Sequence, residues 1–406
     1  MVGVAVVADD LSGAVESAAT FLLRTSRIFV ALDAQSAAPP GTAVHVLDTD
    51  TRSLPGAEAA RRVELATRAL AAVPLVVKKV DSLLRGNLAA ELAAVRRVRP
   101  QLVVAPALPA AGRTVLGGVV HLDGVPLHRT DAWRVEAGAQ PGTVADVLAP
   151  LPTRPVGLEV VRGPGLAREL RAVLDAGAVP VCDAVLDEDL DRLVAAAASL
   201  RDPVLAGSAA IAAAVARTLP GDRTEAAAWS ALGGHAAAPA SSTLVVVGSA
   251  APNIPDQLAT LQAGGARVVL AAPEALLDPH GVDLLRQRVG AAVEGLVVVA
   301  VDPAAAVDPR RAGGIARGLA AAVADPAAAV DGLVLTGGET ARAVLDRLAV
   351  TSLQPLVQVH HGAVVSAGPA GQLIATRPGS FGGHDSLLTL VRAVQTARAH
   401  HVKEPA

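Results

Sequence analysis

Aromatic residues are almost missing from this sequence. Phenylalanine, tryptophan and tyrosine together make up 1% of its 406 residues, and tyrosine does not occur at all. Proteins that stack nucleic-acid bases need aromatic side chains, and a formal net charge of −3 provides no general basic surface for phosphate groups. The composition therefore argues against a nucleic-acid partner. Hydrophobic residues, at 52%, must form cores made chiefly of alanine, valine and leucine.

Cysteine and long apolar runs are scarce as well. Cys182 is the single cysteine, which excludes an internal disulfide and favours a reducing compartment. Because it follows a strand-like run, we expect a buried structural thiol. The apolar runs are too short to cross a bilayer, and the first one ends at Asp9-Asp10 without the basic segment of a signal peptide. These absences predict a cytoplasmic protein with no membrane partner.

Short valine-rich runs alternate with alanine- and leucine-rich helical patterns along most of the chain. This alternation is typical of a mainly parallel sheet flanked by helices. Over residues 226–242 the alternation fails, and glycine, proline and serine predict a linker. We therefore predict an α/β protein with two domains, residues 1–225 and 243–406. Each is expected to hold a mainly parallel sheet flanked by helices, with a cleft between them where small ligands bind.

The same patterns predict individual elements. The predicted strands are 2–7, 28–32, 43–47, 75–80, 102–105, 157–161, 179–181, 244–247, 267–270, 295–301 and 332–335. The predicted helices are 13–24, 57–72, 88–98, 186–200 and 385–399. Prolines and glycines from residue 105 to residue 127 predict a loop that contains Arg113.

Charged and hydroxyl residues follow several of the predicted strands. Asp9 and Asp10 come directly after the first strand, where acids either cap a helix or contact a ligand. Residues 48–52 close the third strand in the same way. Residues 78–87 place two lysines, an aspartate, a serine and an arginine at the carboxyl end of the fourth strand, with Asn87 as the cap of the next helix. Such a concentration of charge favours an anionic substrate, since arginine grips carboxylates and aspartate serves as a general base.

The second half has no Walker A motif. Instead, glycine-rich turns follow strands at residues 248–250, 336–340 and 379–383. Exposed backbone N–H groups at the start of a helix favour anions, so each turn is a candidate phosphate or ribose site. Each signal is weak alone, because strand-to-helix turns are often rich in glycine for packing reasons.

Residues 9–14, 78–86 and 106–114 together resemble the motifs of the four-carbon acid sugar kinase family, and the likeness extends in order over nearly the whole chain. Members of that family phosphorylate threonate, erythronate or 3-oxo-tetronate with ATP. The resemblance implies that the first domain binds the sugar acid and the second binds the nucleotide. The substrate-binding residues it implies are Asp9, Asp10, Lys78, Lys79, Asp81, Ser82, Arg85, Gly86 and Arg113, and we add Arg52 from the end of the third strand. The nucleotide-binding residues it implies are Ser249, Gly337, Gly338, Glu339 and Gly382, and we add Thr336 and Gly379 from the same glycine turns.

The chain departs from the family pattern at several positions. Glu16 stands where aspartate is usual, Leu83 replaces a small hydroxyl residue, and Pro378 and Ser380 change the last glycine turn. Residues 360–363, which begin with two histidines, replace a proline-glycine segment. Adjacent histidines on an extended segment point in opposite directions, so we do not expect a metal site there.

In the expected mechanism, Arg85 and either Lys78 or Lys79 pair with the substrate carboxylate, and either Asp10 or Asp81 accepts the hydroxyl proton. ATP occupies the glycine turns with Mg²⁺, for which the sequence identifies no protein ligands. The alternatives are a nicotinamide-dependent sugar-acid oxidoreductase and a non-catalytic sugar-acid-binding protein. The sequence leaves the oligomeric state open, with a homodimer as one alternative.

Overall fold

A computed structural model describes residues 2–33, 36–133, 140–221, 242–290, 294–306, 308–379 and 381–401. The chain forms two compact units, Met1–Asp222 and Arg223–Ala406, called unit 1 and unit 2 below. The predicted linker, residues 226–242, lies outside the described residues except for Ser242, the first residue of a strand. Within the described ranges no helix is long and apolar enough to cross a bilayer.

Unit 1 is built on a parallel sheet of short, buried strands. Its neighbours follow the order β2-β3-β1-β4-β11-β5-β10-β9, and every pair is parallel. The strands are β1 Val4–Ala8, β2 Ile28–Ala31, β3 Val44–Asp48, β4 Leu75–Lys79, β5 Leu102–Ala105, β9 Thr153–Val156, β10 Val179–Cys182 and β11 Val204–Gly207. Continuous valine and leucine runs suit such strands because helices cover both faces of a parallel sheet.

The helices of unit 1 connect these strands and bury one apolar face each. They are α1 Leu11–Ala19, α2 Gly56–Ala69, α3 Leu88–Val98, α4 Val144–Leu148, α5 Leu158–Arg162, α6 Leu166–Asp175, α7 Asp187–Ala197 and α8 Ala209–Thr218. The prediction of a strand over residues 157–161 is wrong, because Gly157 precedes a helix and the strand lies just before it. A five-residue apolar run does not distinguish a strand from a buried helical turn.

A small antiparallel sheet occupies much of the predicted loop between residues 105 and 127. Its strands are β6 Arg113–Leu116, β7 Val119–Leu122 and β8 Val125–Pro126. Gly117 and Gly118 both have positive φ and turn the chain between β6 and β7. Asp183 fixes this turn, since its carboxylate accepts hydrogen bonds from both glycine amides at 2.8 and 2.9 Å. The glycines therefore form a hairpin here rather than an irregular loop.

Unit 2 has a mixed sheet in the order β13-β14-β12-β15-β18-β17-β16, parallel as far as β18 and antiparallel beyond it. The strands are β12 Ser242–Val247, β13 Arg267–Ala271, β14 Gly295–Val301, β15 Gly332–Thr336, β16 Ser352–His360, β17 Ala363–Ala367 and β18 Leu373–Arg377. The helices are α9 Ile254–Ala263, α10 Pro279–Gly290, α11 Ala312–Ala329, α12 Gly338–Arg347 and α13 Ser386–His401. Valine, leucine and alanine from the central strands, α9 and α13 form one core.

Candidate active site

Charged residues of unit 1 meet at the carboxyl ends of three adjacent strands. β3, β1 and β4 lie side by side, with Asp48 opposite Ala8 and Lys78 opposite Val7. The segments that follow these strands carry most of the predicted substrate-binding residues. This edge is where open parallel sheets bind ligands. We call the side chains gathered here the unit 1 cluster: Asp9, Asp10, Arg52, Lys78, Lys79, Asp81, Ser82, Arg85 and Arg113.

Arg52 joins the two acids that follow β1. Its Nε and Nη2 donate to Asp9 at 2.8 and 3.0 Å, and its Nη1 donates to Asp10 Oδ2 at 2.9 Å. The other oxygen of Asp10 accepts from the Gly13 amide at 2.9 Å and so caps α1. Burial raises the pKa of Asp9, but the charges of Arg52 and Lys78 outweigh burial and bring that pKa below its usual value. Arg52 therefore fixes the positions of both carboxylates.

Lys78 lies in the interior of unit 1. Its side chain has no exposed surface, and its Nζ lies 2.8 Å from Glu91 Oε2 on α3. Glu91 also accepts a hydrogen bond from the Thr51 hydroxyl at 2.6 Å, which ties the segment after β3 to α3. A buried ammonium held in an ion pair is shielded from ligands that enter from solvent. The structure therefore gives no support to a contact between Lys78 and a substrate.

Lys79 points to the opposite face of the sheet, as adjacent residues of a strand must. Its Nζ lies 3.8 Å from Glu16 Oε2 on α1 and donates to the Val80 carbonyl at 3.2 Å. A Cβ on Gly13 would lie 3.1 Å from this ammonium and would also meet Asp10 Oδ1. Lys79 is thus held beside the start of α1, close to the Asp10 carboxylate.

Asp81 and Arg85 form a bidentate ion pair. The Arg85 Nε and Nη2 each donate to Asp81 at 2.8 Å, and the Leu83 amide donates to the same carboxylate at 3.0 Å. Burial raises the pKa of Asp81, but the bonds and charge of Arg85, with the charge of Arg52, lower it far below its usual value. The Asp81 side chain is 8% exposed and that of Arg85 is 33% exposed. Asp81 therefore stays ionised and orients Arg85 at the more open side of the cluster.

Arg113 reaches the unit 1 cluster from the small sheet. Its Nη1 donates to the Ser82 hydroxyl at 2.6 Å, and burial lowers its pKa. Among the described residues, none accepts a hydrogen bond from its buried Nε. Arg113 and the segment after β4 are therefore neighbours in space.

Gly86 and Asn87 complete the segment after β4. Gly86 has φ +91° and passes close to the acids, because a Cβ there would lie 3.3 Å from Asp9 Oδ2. The sequence suggested that the Asn87 side chain caps α3, but it makes no capping hydrogen bond there. Its amide instead donates to the carbonyls of Thr51 and Leu54 at 2.9 and 2.8 Å. Asn87 thereby ties the segments after β3 and β4 to each other.

Sequence reasoning missed two residues that shape the unit 1 cluster. Glu91 lies between Leu88 and Val95 on the apolar face of α3, and an acid in that position was the available signal of a buried partner. Trp133 donates from Nε1 to the Leu83 carbonyl at 2.7 Å and so contacts the segment after β4. Its place in the sequence gave no sign of this contact.

In unit 2 the three glycine turns converge at the ends of β12, β15 and β18, which are adjacent in the sheet. We call them the first (248–250), middle (336–340) and last (379 and 381–383) glycine turns, the last without Ser380, which lies outside the described residues. A Cβ on Gly379 would collide with Ser249 and would lie 3.7 Å from Gly337 Cα. Gly337 itself has φ +91° and precedes α12, whose first N–H groups are free of intrahelical partners. Only glycine allows these backbones to approach so closely.

A pocket of about 250 Å³ opens beside the first two turns. Ser249, Gly337, Gly338 and Glu339, four of the residues proposed from the sequence to bind nucleotide, line this pocket. Thr336 is fully buried instead, and Gly379 and Gly382 contact Ser249 and Ser386 from the last turn. The remaining wall is largely apolar and includes Pro273, Pro303, Ala305, Ala306 and Ile315.

Asp302 and Asp308 also line this pocket, and neither was singled out from the sequence. Asp302 directly follows β14, so its signal was the same as that of Asp9 after β1. In the described parts of the chain, no three His, Cys, Asp or Glu side chains form a group able to hold a metal ion.

Two family models match the chain, and each covers one of the two sites. One, described as a sugar-binding N-terminal domain, matches residues 4–215, and the other, described as a nucleotide-binding C-terminal domain, matches residues 244–387. The D-threonate kinase of Cupriavidus necator is 32% identical over 97% of this chain and 98% of its own length. The chain belongs to the four-carbon acid sugar kinase family. The 3-oxo-tetronate kinase of Methylobacterium radiotolerans, 31% identical over 93% of this chain and 96% of its own, is a second relative.

A solved structure supports the fold of this four-carbon acid sugar kinase family member. A protein from Salmonella typhimurium LT2, described as a putative tRNA synthase, matches with a TM-score of 0.75 over 97% of this chain and 98% of that chain. At 19% identity the likeness shows the fold alone. Within the kinase family, the sugar-binding model covers the whole unit 1 cluster, and the nucleotide-binding model covers all three glycine turns.

Proposed function

We propose that this family member transfers the terminal phosphoryl group of ATP to the terminal hydroxyl of threonate, erythronate or 3-oxo-tetronate. One observation carries the proposal. The chain has a charged cluster within the residues matched by the sugar-binding model and a glycine-lined pocket within those matched by the nucleotide-binding model. Neither an oxidoreductase nor a non-catalytic binding protein has comparable support, since the relatives are kinases.

The sugar-acid carboxylate binds to the cationic side of the unit 1 cluster. Arg113 has a buried Nε without a partner among the described residues, and Arg85 is one-third exposed. An unsatisfied buried donor costs about 1–3 kcal/mol, which a ligand oxygen at Arg113 would recover. Lys79 adds a point charge beside the acids, whereas Lys78 contributes only to the stability of the fold.

Asp10 is the general base of this proposal. Asp81 is held on both oxygens by Arg85, and its lowered pKa makes it a weak proton acceptor. The Asp10 side chain is 17% exposed and lies beside Lys79, while Arg52 and the cap of α1 hold it in one orientation. Asp81 then serves to position Arg85.

The nucleotide phosphates bind at the first and middle glycine turns, where the N-terminus of α12 favours anions. The apolar wall of the pocket accommodates the adenine ring of ATP. Asp302 and Asp308 are the carboxylates that would hold Mg²⁺, which is usually bound by one or two carboxylates together with substrate phosphates. When bound, Mg²⁺ offsets the negative charge of the phosphates.

During the reaction, the substrate hydroxyl oxygen forms a bond to the γ-phosphorus, and the bond from that phosphorus to the β–γ bridging oxygen breaks. ADP leaves with the electron pair of that bond, and Asp10 takes the hydroxyl proton. Positioning and charge stabilisation supply most of the acceleration in phosphoryl transfer. The proposal includes a cytoplasmic location. It also includes a homodimer, and analytical ultracentrifugation would measure the mass of that dimer.

A coupled ADP-release assay tests the proposal across the stereoisomers of threonate and erythronate and with 3-oxo-tetronate. We expect ATP- and Mg²⁺-dependent turnover of at least one of these acids. In a parallel thermal-shift assay, ATP with Mg²⁺ should raise the melting temperature, and NAD⁺ should not. Stabilisation by NAD⁺ alone, or the absence of turnover with all of the acids, would contradict the proposal.

A further inference from the structure

Arg377, the last residue of β18, is 1% exposed and lies next to the last glycine turn. Its Nη1 is within hydrogen-bond distance of Gln257 Oε1 at 2.9 Å, the Phe381 carbonyl at 2.6 Å and Ser386 Oγ at 2.9 Å. Its Nη2 donates to Thr336 Oγ1 at 3.2 Å. All four acceptors are neutral. Burial lowers the pKa of Arg377 to about 10, so the guanidinium remains a cation at neutral pH.

The contacts of Arg377 reach two of the three glycine turns. Its carbonyl accepts a hydrogen bond from the Gly337 amide at 3.1 Å, and its Nη2 holds the Thr336 side chain in the same middle turn. Its Nη1 holds the Phe381 carbonyl in the last turn. Arg377 therefore contacts both the middle and the last turn.

A hydrogen-bond chain continues from Arg377 through Ser386 to His360. Guanidinium carries only donors, so Ser386 Oγ accepts from Arg377 and is left to donate its own proton to His360 Nε2, 2.7 Å away. His360 Nδ1 then carries the ring proton and donates to the His361 carbonyl at 3.3 Å. Protonation of His360 at Nε2 would reverse this last bond, because Ser386 Oγ would then accept from both Arg377 and His360 and its own proton would lose its acceptor.

The histidine pair at the end of β16, His360 and His361, also contacts the last turn by packing. The rings of His361 and Phe381 are stacked with centroids 5.3 Å apart. Gly362, with φ +73°, leaves room for the Phe381 ring, since a Cβ there would lie 2.7 Å from it. The two histidines, which the family resemblance did not explain, thus contact the last turn through a ring and through Ser386.

We propose that Arg377, acting through Ser386 and His360, is a positioning residue that holds the last glycine turn against the middle turn in the geometry that binds nucleotide. This inference rests on the proposed function of the unit 2 pocket as the ATP site. It assigns a role to three side chains that do not line the pocket and that the expected mechanism does not use.

Binding of ADP to the full-length protein, measured by isothermal titration calorimetry, tests the role directly. We expect Arg377→Met and Ser386→Ala to weaken ADP binding by about 10- to 100-fold, the loss typical of hydrogen bonds to a charged group. Arg377→Lys should recover most of the affinity, because an ammonium keeps the charge and three donors. KM for the sugar acid should stay within about 2-fold of wild type. His280→Gln, an exposed histidine on α10, is the matched control.

Measuring ADP affinity as a function of pH adds a test, because a purely structural role of His360 would not change this pH dependence. The charged groups that face His360 are Arg377 on β18 and Asp385 before α13, with His361 in its own turn. Burial, with the charge of Arg377, lowers the pKa of His360, so this order of donors holds at neutral pH and is lost once the pH falls below that lowered pKa. We expect wild type and His280→Gln to lose ADP affinity below that pH more steeply than His360→Gln, whose side chain does not titrate.

The outcomes separate the two proposals. If wild type binds ADP and all the variants bind it equally, the positioning role is wrong and the ATP site stands. If wild type binds no ADP and releases none in the kinase assay, both proposals fail. Should Arg377→Met not fold, Ser386→Ala and His360→Gln, which remove far less buried surface, decide the matter alone.

Discussion

Removing one partner of the Lys78–Glu91 ion pair should destabilise unit 1 strongly. The two side chains are 0% and 3% exposed, so Glu91→Gln leaves a buried ammonium without its ion-pair partner. Breaking such a pair from one side costs about 3–5 kcal/mol. For a unit of this size, each kcal/mol lowers the melting temperature by roughly 2–4 °C, so we expect a decrease of about 6–20 °C.

Differential scanning calorimetry of the single and double variants measures this cost. Lys78→Met/Glu91→Leu removes both charges and fills the space with apolar groups, and it should melt close to wild type or above it. Arg61→Met, which removes an exposed partner of Glu58 on α2, is the surface control and should leave the melting temperature unchanged. The reasoning is refuted if Glu91→Gln melts within about 2 °C of wild type, or if the double variant melts as low as the single one.

Three further predictions concern the acids and the thiol of unit 1. Asp10→Asn should lower kcat by about 10²- to 10⁴-fold with an unchanged circular dichroism spectrum, whereas Asp81→Asn should mainly raise KM for the sugar acid; unchanged kcat in Asp10→Asn excludes it as the base. Because the folded-state pKa of Asp81 lies below its unfolded value, its contribution to stability is complete above about pH 4 and is lost as the pH falls toward the folded value. Urea unfolding should therefore show a flatter acid dependence for Asp81→Asn than for wild type, and identical curves would count against this. Burial raises the pKa of Cys182, so a thiol reagent at about pH 8 should label it only after denaturation, and rapid labelling of the native protein would contradict the structure.

The sequence was sufficient to predict the sheet ends that carry the charges, because strand-to-helix alternation places the residues after β1, β3 and β4 at one edge. The sequence did not predict that the two lysines would have different environments. Adjacent strand residues face opposite sides, so Lys78 and Lys79 enter two different helix layers. Each meets an acid there, Glu91 on α3 or Glu16 on α1, and only the packed structure identifies these partners.

The unit 2 site shows the same limit. Glycine patterns located the three turns, but the contacts that hold the turns together run through Arg377, whose partners lie up to 120 positions away along the chain. No local spacing encodes such a contact. The prediction of a strand over residues 157–161 failed for a local reason. A short apolar run fits a strand and a buried helical turn equally well.

The hydrogen bond from Trp133 to the Leu83 carbonyl gives the protein an optical reporter of its own. The sequence has two tryptophans and no tyrosine, and the second tryptophan, Trp229, falls within the predicted linker. In a Trp229→Phe variant, all tryptophan emission would come from an indole attached to the segment that follows β4. Stopped-flow fluorescence of that variant would then follow the arrival of a sugar acid before any phosphate is transferred.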